Sequence, residues 1–107
     1  VKKFLPSAYG TLMSANDAQF LTHLMSQVVE IGTGSAMRGA SYTVAGKTGS
    51  AEFEAGKETH SWFVGFAPAD KPKVAICVLA EESGSGGAVA APIARQVLDR
   101  YFAKYGQ

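Results

Sequence analysis

The sequence predicts an α+β protein in which an antiparallel three-stranded sheet is flanked by an N-terminal and a C-terminal helix. Two stretches with apolar residues at helical spacing, one near each end of the chain, predict the helices. Three strand-like stretches lie between them, and the links joining these stretches are short and polar, which favours an antiparallel meander. With 107 residues, of which 47% are hydrophobic, the chain has the size of one small domain or of part of a larger one.

The first helix is predicted to begin near Ser14 or Asn16, because both residue types cap helices, and to end at Gly32 and Gly34. Its apolar residues recur three and four positions apart, so we expect them to face the core. His23 lies between these apolar pairs and is expected at the solvent side or the boundary. The apolar residues are Phe20, Leu21, Leu24, Met25, Val28 and Val29.

The three strands are predicted at residues 42–53, 61–67 and 73–81, and a compact turn at 68–72 joins the last two. The third strand is apolar on both faces, which is typical of a sheet that is covered on both sides. Two helices cannot easily cover both faces. We therefore expect the chain either to self-associate or to pack against a further lobe of the same protein.

The second helix follows the glycine-rich segment 84–87. Pro92 fits only near the first turn, so we expect the helix to start late or to bend there. Its predicted apolar side consists of Val89, Ile93, Val97, Leu98, Tyr101 and Phe102.

Charge and composition exclude several function classes. The net charge is +1 and the lysines and arginines are scattered, so no nucleic acid is expected as a partner. No apolar run is long enough to span a bilayer. Cys77 is the single cysteine and is expected to be a buried small hydrophobe. Together with His23 and His60 it has no metal-ligand spacing, so neither a metal nor a cofactor is expected.

The segment Lys47-Thr48-Gly49-Ser50 is the candidate site. It places a cation, a hydroxyl and a residue without a side chain in succession on a predicted strand. Alternate residues of a strand point the same way, so one face can offer charge and hydroxyl to a carboxylate. A glycine there lets a substrate backbone lie flat against the strand. Gly46-Lys47-Thr48 also resembles the end of a P-loop, but Ser41 stands where that loop needs a glycine.

Four segments of the chain carry a family resemblance: Gly32-Thr33-Gly34, Val44 to Glu52, Ser61 to Pro68 and Gly86 to Ala94. Together they resemble the C-terminal part of the transpeptidase domain of a class B penicillin-binding protein, a member of the penicillin-recognising serine enzymes. The Lys-Thr-Gly strand is one wall of the active site in such enzymes. The resemblance implies that residues 1–107 are the C-terminal portion of such a domain, a fragment of the β-lactamase/transpeptidase-like fold in which a sheet lies between helices beside an all-helical lobe.

The resemblance also implies an activity and residue roles. In that family a serine attacks a D-alanyl-D-alanine stem peptide, and the acyl group passes to an amine of a neighbouring strand; β-lactams bind at the same place. Lys47 would attract the substrate carboxylate, Thr48 would point into the fold, and Gly49 would permit close approach. Ser50, where the family more often has threonine, would bind the carboxylate with its hydroxyl. Its main-chain N–H would be one of two oxyanion-hole donors.

The sequence departs from this family in its catalytic motifs. No serine is followed three residues later by lysine, so the nucleophile motif Ser-Xaa-Xaa-Lys is absent. Ser14-Ala15-Asn16 matches the second motif, Ser-Xaa-Asn, in form only and is interpreted as a helix cap. We therefore expect a piece of a longer protein that is inactive alone. Its parent would work at the extracytoplasmic face of the bacterial membrane, anchored by an N-terminal segment that is absent here.

Three alternatives stay open. A serine β-lactamase or a carboxypeptidase shares the Lys-Thr-Gly strand. A β-lactam-sensing domain would be acylated and would signal without turnover. A free-standing interaction module would have the motif without the chemistry and would be a stable monomer.

Overall fold

A computed structural model describes residues 2–106 of the chain and has the predicted order of helix, three strands and helix. A single 3-10 turn at Ser35–Met37 follows the first helix. The two helices are α1 (Ala15–Ile31) and α2 (Ala90–Tyr105), and the three strands are β1 (Ala45–Ala51), β2 (His60–Ala67) and β3 (Val74–Ala80).

The three strands form one antiparallel sheet in the order β1-β2-β3, which leaves β1 at one edge. Lys47 pairs with Val64, and Val64 pairs with Cys77 on the next strand, so these three residues lie in one row across the sheet. β1 and β3 are shorter than predicted, β1 most clearly, whereas β2 begins one residue earlier than predicted. The α+β class and the antiparallel meander that the sequence predicts are confirmed.

The core lies between one face of the sheet and α2. Phe63, at the centre of β2, is fully buried there. The α2 residues that face it are mostly small, which lets the helix approach the sheet closely; they are Ala90, Ala91, Ala94, Leu98 and Phe102. The apolar side predicted for this helix is therefore partly wrong, because Ile93 and Val97 are 40% and 51% exposed. Pro92 lies in the first turn, where its missing N–H costs no hydrogen bond.

Helix α1 has the predicted ends. The Ser14 hydroxyl accepts a hydrogen bond from the Asp17 N–H at 3.1 Å, so the interpretation of Ser14 as a helix cap is confirmed. At the other end Gly32 and Gly34 both donate their N–H to the Val28 carbonyl, at 3.1 and 2.9 Å. The cap and this closing turn fix the helix over 17 residues.

The burial predicted for α1 is largely wrong. Val29 is its one buried residue, whereas Phe20, Leu21 and Leu24 are 64%, 43% and 47% exposed. The helix contacts β1 and the 3-10 turn at Ser35–Met37, and these contacts leave the three apolar side chains largely exposed. His23 is exposed, on the solvent side as expected. No helix within residues 2–106 is long and apolar enough to cross a membrane.

Part of the sheet face opposite α2 is open, although Ala45 on the same face is fully buried. Burial alternates along β3, and Cys77 and Leu79 are exposed on this side, as Val64 is on β2. The prediction that Cys77 is buried is therefore wrong. The prediction fails because the sequence shows only that both faces of the strand are apolar. Burial requires a covering layer, and residues 2–106 do not supply one over Cys77.

Candidate active site

The predicted site lies on β1, the edge strand of the sheet. Lys47 is exposed, and its ammonium donates a hydrogen bond to the carbonyl of Thr48 at 2.6 Å. This contact draws the lysine side chain along its own strand. An ammonium has three donors, so two of them stay available to another acceptor.

Thr48 points away from solvent. Its side chain is 8% exposed, and its hydroxyl lies 2.5 Å from the hydroxyl of Thr33, in the loop that follows α1. Residues 32–34 were noticed in the sequence only as part of the family resemblance. A threonine between two glycines carries no signal that its hydroxyl contacts a strand residue 15 positions further along the chain.

Lys47 and Ser50 do not share a face of the strand. They are three positions apart, so their side chains project from opposite faces, and Ser50 pairs with Ser61 on the side of α2. Both are exposed, so they lie on either side of the β1 edge. The expectation that one strand face offers both the charge and this hydroxyl is therefore wrong, since side chains alternate with a period of two.

The loop between β3 and α2 contacts the candidate site from the side of Ser50. The N–H of Gly86 donates to the Ser50 hydroxyl at 3.2 Å. Gly86 is buried directly against the sheet backbone: a Cβ atom there would meet the carbonyl oxygen of Gly49 at 2.5 Å and its nitrogen at 2.8 Å. Only a residue without a side chain fits this approach. The glycine-rich run was predicted as a lead into the helix, and its contact with the site was missed.

Ser61 holds this loop in place. Its side chain is fully buried, donates to the carbonyl of Ser85 at 2.8 Å and accepts the N–H of Ala90 at 2.9 Å. One hydroxyl thus satisfies a loop carbonyl and an N–H of the first turn of α2. The sequence indicated Ser61 only as the start of a strand. A serine at the start of an otherwise apolar strand is the sequence signal that could have suggested this role.

A polar cluster ties the segment before β1 to α2. The Tyr42 hydroxyl donates to an Asp99 carboxylate oxygen at 2.6 Å, and the Arg95 guanidinium holds both oxygens of that carboxylate at 2.9 and 3.0 Å. Burial, followed by the hydrogen bond to Asp99, raises the pKa of Tyr42 well above its ordinary value. The hydrogen bond from Tyr42 lowers the pKa of Asp99. The cluster is structural and keeps the chain leading into β1 in place.

The other polar residues of the described range make local contacts only. No group of three potential metal ligands occurs among residues 2–106. His60 is stacked on Phe53, with ring centres 4.0 Å apart, and its Nδ1 accepts the N–H of Glu82 at 3.0 Å. The Lys57 ammonium lies 3.6 Å from a carboxylate oxygen of Glu54 and 3.5 Å from one of Glu82, and all three side chains are exposed.

Comparison with known proteins identifies the family. Residues 6–99 match the model of the penicillin binding protein transpeptidase domain. The chain belongs to this family. The chain is a fragment of a class B penicillin-binding protein transpeptidase, and its fold is part of the transpeptidase fold, as the sequence predicted.

Individual relatives agree with this assignment. The peptidoglycan D,D-transpeptidase MrdA of Haemophilus influenzae is 40% identical over 85 residues, which cover 65% of this chain and 13% of that protein. The D,D-transpeptidase domain of a peptidoglycan glycosyltransferase from Eggerthella lenta superposes with a TM-score of 0.78 at 33% identity, covering 96% of this chain and 24% of that one. The penicillin G acyl-enzyme complex of penicillin-binding protein A from Mycobacterium tuberculosis superposes with a TM-score of 0.70 at 35% identity. The match covers 81% of this chain and 20% of that one. The penicillin-binding protein fragment thus spans a small part of the relatives it matches.

Proposed function

We propose that this chain supplies the substrate-binding strand of a peptidoglycan D,D-transpeptidase, a penicillin-binding enzyme that cross-links cell-wall stem peptides. The observation that carries the proposal is the position of Lys47-Thr48-Gly49-Ser50 on an edge strand with Lys47 and Ser50 exposed. An edge strand has main-chain groups free to pair with an extended peptide. A stem peptide and a β-lactam are both acyl donors that carry a carboxylate, which a lysine ammonium attracts.

The main chain of β1 supports an oxyanion role for Ser50. The Thr48 carbonyl accepts the Lys47 ammonium, which indicates that this carbonyl is turned toward the free edge. Main-chain groups of an antiparallel strand alternate between the partner strand and the other side, so the N–H of Ser50, two positions further on, points the same way as that carbonyl. An N–H there can stabilise a developing oxyanion while the Lys47 ammonium binds the carboxylate.

The Ser50 hydroxyl keeps the role that the family resemblance implies, binding the substrate carboxylate, but it does so from the opposite face to Lys47. The hydroxyl accepts the Gly86 N–H, so it can still donate its own proton to a substrate carboxylate from the α2 side of the edge. Lys47 would approach the same carboxylate from the opposite face. We therefore infer that the two groups bind the substrate around the strand edge, with Gly49 between them allowing close approach.

The chain alone is proposed to be inactive. Residues 1–107 contain no Ser-Xaa-Xaa-Lys motif, and the Ser14 hydroxyl is occupied in capping α1. An oxyanion donor without an activated nucleophile cannot carry out acyl transfer. The nucleophile would belong to another part of the parent transpeptidase domain, of which these residues would be the C-terminal portion.

Exposed apolar side chains on the open part of the sheet face indicate that another layer covers it in the parent protein. Val64 and Leu79 are 41% and 45% exposed there, and Cys77 lies between them on the same face. We propose that the rest of the transpeptidase domain covers this face in the parent protein. A second copy of the fragment would cover it less specifically when the fragment is isolated. The parent is proposed to act at the extracytoplasmic face of the bacterial membrane, through an anchoring segment outside this chain.

The first test is an intact-mass spectrum of the 107-residue chain after incubation with excess penicillin G. No adduct is expected, because the nucleophile motif is absent. A stoichiometric penicilloyl adduct would mean that a serine of this chain is activated and that the proposed division of the site is wrong. The spectrum therefore tests one claim only, that the isolated chain is not acylated.

The second test uses a chimera in which residues 14–105 replace the matching segment of the Haemophilus influenzae relative. Acylation by a fluorescent penicillin is expected, and Lys47→Ala should slow it roughly ten- to a hundredfold, the range for losing one charge-assisted hydrogen bond. Lys71→Ala, at an exposed lysine in the β2–β3 turn, is the matched control and should leave the rate unchanged. A folded chimera that is never acylated would favour an interaction module. Rapid hydrolysis of the acyl group would favour a β-lactamase, and a stable acyl group without transfer to an amine would favour a sensor.

A further inference from the structure

Thr33 occupies a position from which it can control the candidate strand. Its hydroxyl and that of Thr48 are within hydrogen-bond distance, and among residues 2–106 Thr33 is the one side chain that bonds the Thr48 hydroxyl. Thr48 lies between Lys47 and Gly49 and is nearly buried, at 8% exposure. The contact therefore joins the end of α1 to the middle of the proposed substrate-binding segment.

The loop that carries Thr33 is itself held on two sides. On one side, Gly32 and Gly34 both donate to the Val28 carbonyl and close the end of α1. On the other, Gly87 lies so close that a Cβ atom there would meet the Thr33 carbonyl oxygen at 2.6 Å. A hydroxyl on a fixed loop can restrain the strand it contacts, whereas a hydroxyl on a mobile loop would follow that strand.

We propose that Thr33 is a positioning residue for the substrate-binding strand, an inference that rests on the function proposed above. By holding the Thr48 side chain on the covered face, Thr33 fixes the pleat of β1. The pleat in turn keeps Lys47 on the opposite face and the Ser50 N–H at the edge. Loss of the Thr33 hydroxyl removes neither the Lys47 ammonium nor the Ser50 N–H, but it lets the strand that carries them move.

The first experiment measures amide hydrogen exchange in the 107-residue chain. Thr33→Val removes the hydroxyl at nearly constant volume and is expected to speed exchange of the β1 amides about three- to tenfold relative to those of β3, as for the loss of one neutral hydrogen bond. Thr33→Ser keeps the hydroxyl and should restore protection. Thr22→Val is the matched control, because the Thr22 hydroxyl bonds the Ala18 carbonyl within α1 and does not reach β1.

Each outcome of the exchange experiment supports or overturns the proposal. Faster exchange confined to β1, restored by serine, supports it. Equal changes in β1 and β3, or no change in Thr33→Val, overturns it. If Thr33→Val does not fold, the serine variant decides: wild-type exchange at β1 supports the role of the hydroxyl, and loss of protection in both variants overturns it. None of these outcomes depends on acylation.

The second experiment measures acylation of the chimera by a fluorescent penicillin. Thr33→Val is expected to lower the second-order acylation rate about three- to tenfold, with wild-type rates in Thr33→Ser and Thr22→Val. A chimera that is acylated at the same rate with and without the Thr33 hydroxyl overturns the positioning role and leaves the proposed function standing. A chimera that is never acylated while β1 exchange responds to Thr33 overturns the proposed function instead. The two failures are thus distinguishable.

Discussion

Gly86 gives the sharpest prediction, because its replacement by alanine tests the contact between the β3–α2 loop and the candidate strand. A Cβ atom at this position would lie 2.5 Å from the carbonyl oxygen and 2.8 Å from the nitrogen of Gly49, and it would also contact the carbonyl oxygen of Trp62. All three are backbone atoms, so no side chain can rotate to make room. The loop must move off the sheet, or the β1–β2 ladder must open locally.

The expected cost of Gly86→Ala follows from these contacts. Overpacking of this kind costs about 1–3 kcal/mol. Against this, alanine restricts the unfolded chain and stabilises by about 0.4–1 kcal/mol where its backbone is compatible, and Gly86 does not have a positive φ. The midpoints of the two ranges, about 2 and about 0.7 kcal/mol, give a net loss in unfolding free energy of about 1 kcal/mol. Movement of the loop also removes the bond from the Gly86 N–H to the Ser50 hydroxyl.

Urea unfolding of the 107-residue chain measures the effect, with Gly10→Ala as the control. Nothing lies within 4 Å of a Cβ at Gly10, so that variant should stay within about 0.5 kcal/mol of the wild type. In the chimera, Gly86→Ala should also slow acylation, while Gly10 lies outside the exchanged residues. Equal stability of the Gly86→Ala variant and the wild type would refute the claim that the loop is seated against the backbone of Gly49.

Three further predictions concern stability. Ser61→Ala should cost about 1–3 kcal/mol in urea unfolding, because it leaves the buried Ala90 N–H and the part-buried Ser85 carbonyl without this hydrogen bond; a loss below 0.3 kcal/mol would contradict this. Ser14→Ala should cost about 1 kcal/mol and reduce helicity by circular dichroism, whereas unchanged helicity would argue against the cap. In the wild type, the unfolding free energy should fall above about pH 10, because the raised pKa of folded Tyr42 means that the unfolded state loses the proton first. It should also fall in acid, because the pKa of folded Asp99 is lowered and the unfolded state takes up the proton first. Tyr42→Phe should weaken the dependence of the unfolding free energy on pH at both ends of the range. An unchanged pH dependence in this variant would refute the role given to the Tyr42–Asp99 hydrogen bond.

The order and class of the elements could be predicted from the sequence because local signals specify them. Helical spacing, a cap at Ser14 and terminating glycines define α1, and short polar links define the antiparallel sheet. Burial could not be predicted as well. Periodicity indicates which positions are apolar, and it therefore predicts that Phe20, Cys77 and Val97 are covered. All three are exposed within the described residues. Coverage depends on packing partners, which the pattern does not contain.

The candidate site was located from the sequence, but its supporting contacts were not. Lys47 to Ser50 could be singled out because cation, hydroxyl and glycine follow one another on a strand. The contacts of Thr33, Ser61 and Gly86 join residues 15 or more positions apart, and each depends on how two loops fold back onto the sheet. Such contacts leave no periodic signal. The placement of Lys47 and Ser50 on opposite faces was, in contrast, available from their odd spacing.

The central claim is that β1 binds the acyl donor, and a crystal structure of the chimera acylated by penicillin G tests it most directly. The position of the penicilloyl group relative to β1 is the measured quantity. We expect its carbonyl oxygen about 3 Å from the Ser50 N–H, and its carboxylate within reach of the Lys47 ammonium and the Ser50 hydroxyl. An acyl group that is bound to the nucleophile but directed away from β1, with Lys47 in contact only with the Thr48 carbonyl, would contradict the claim.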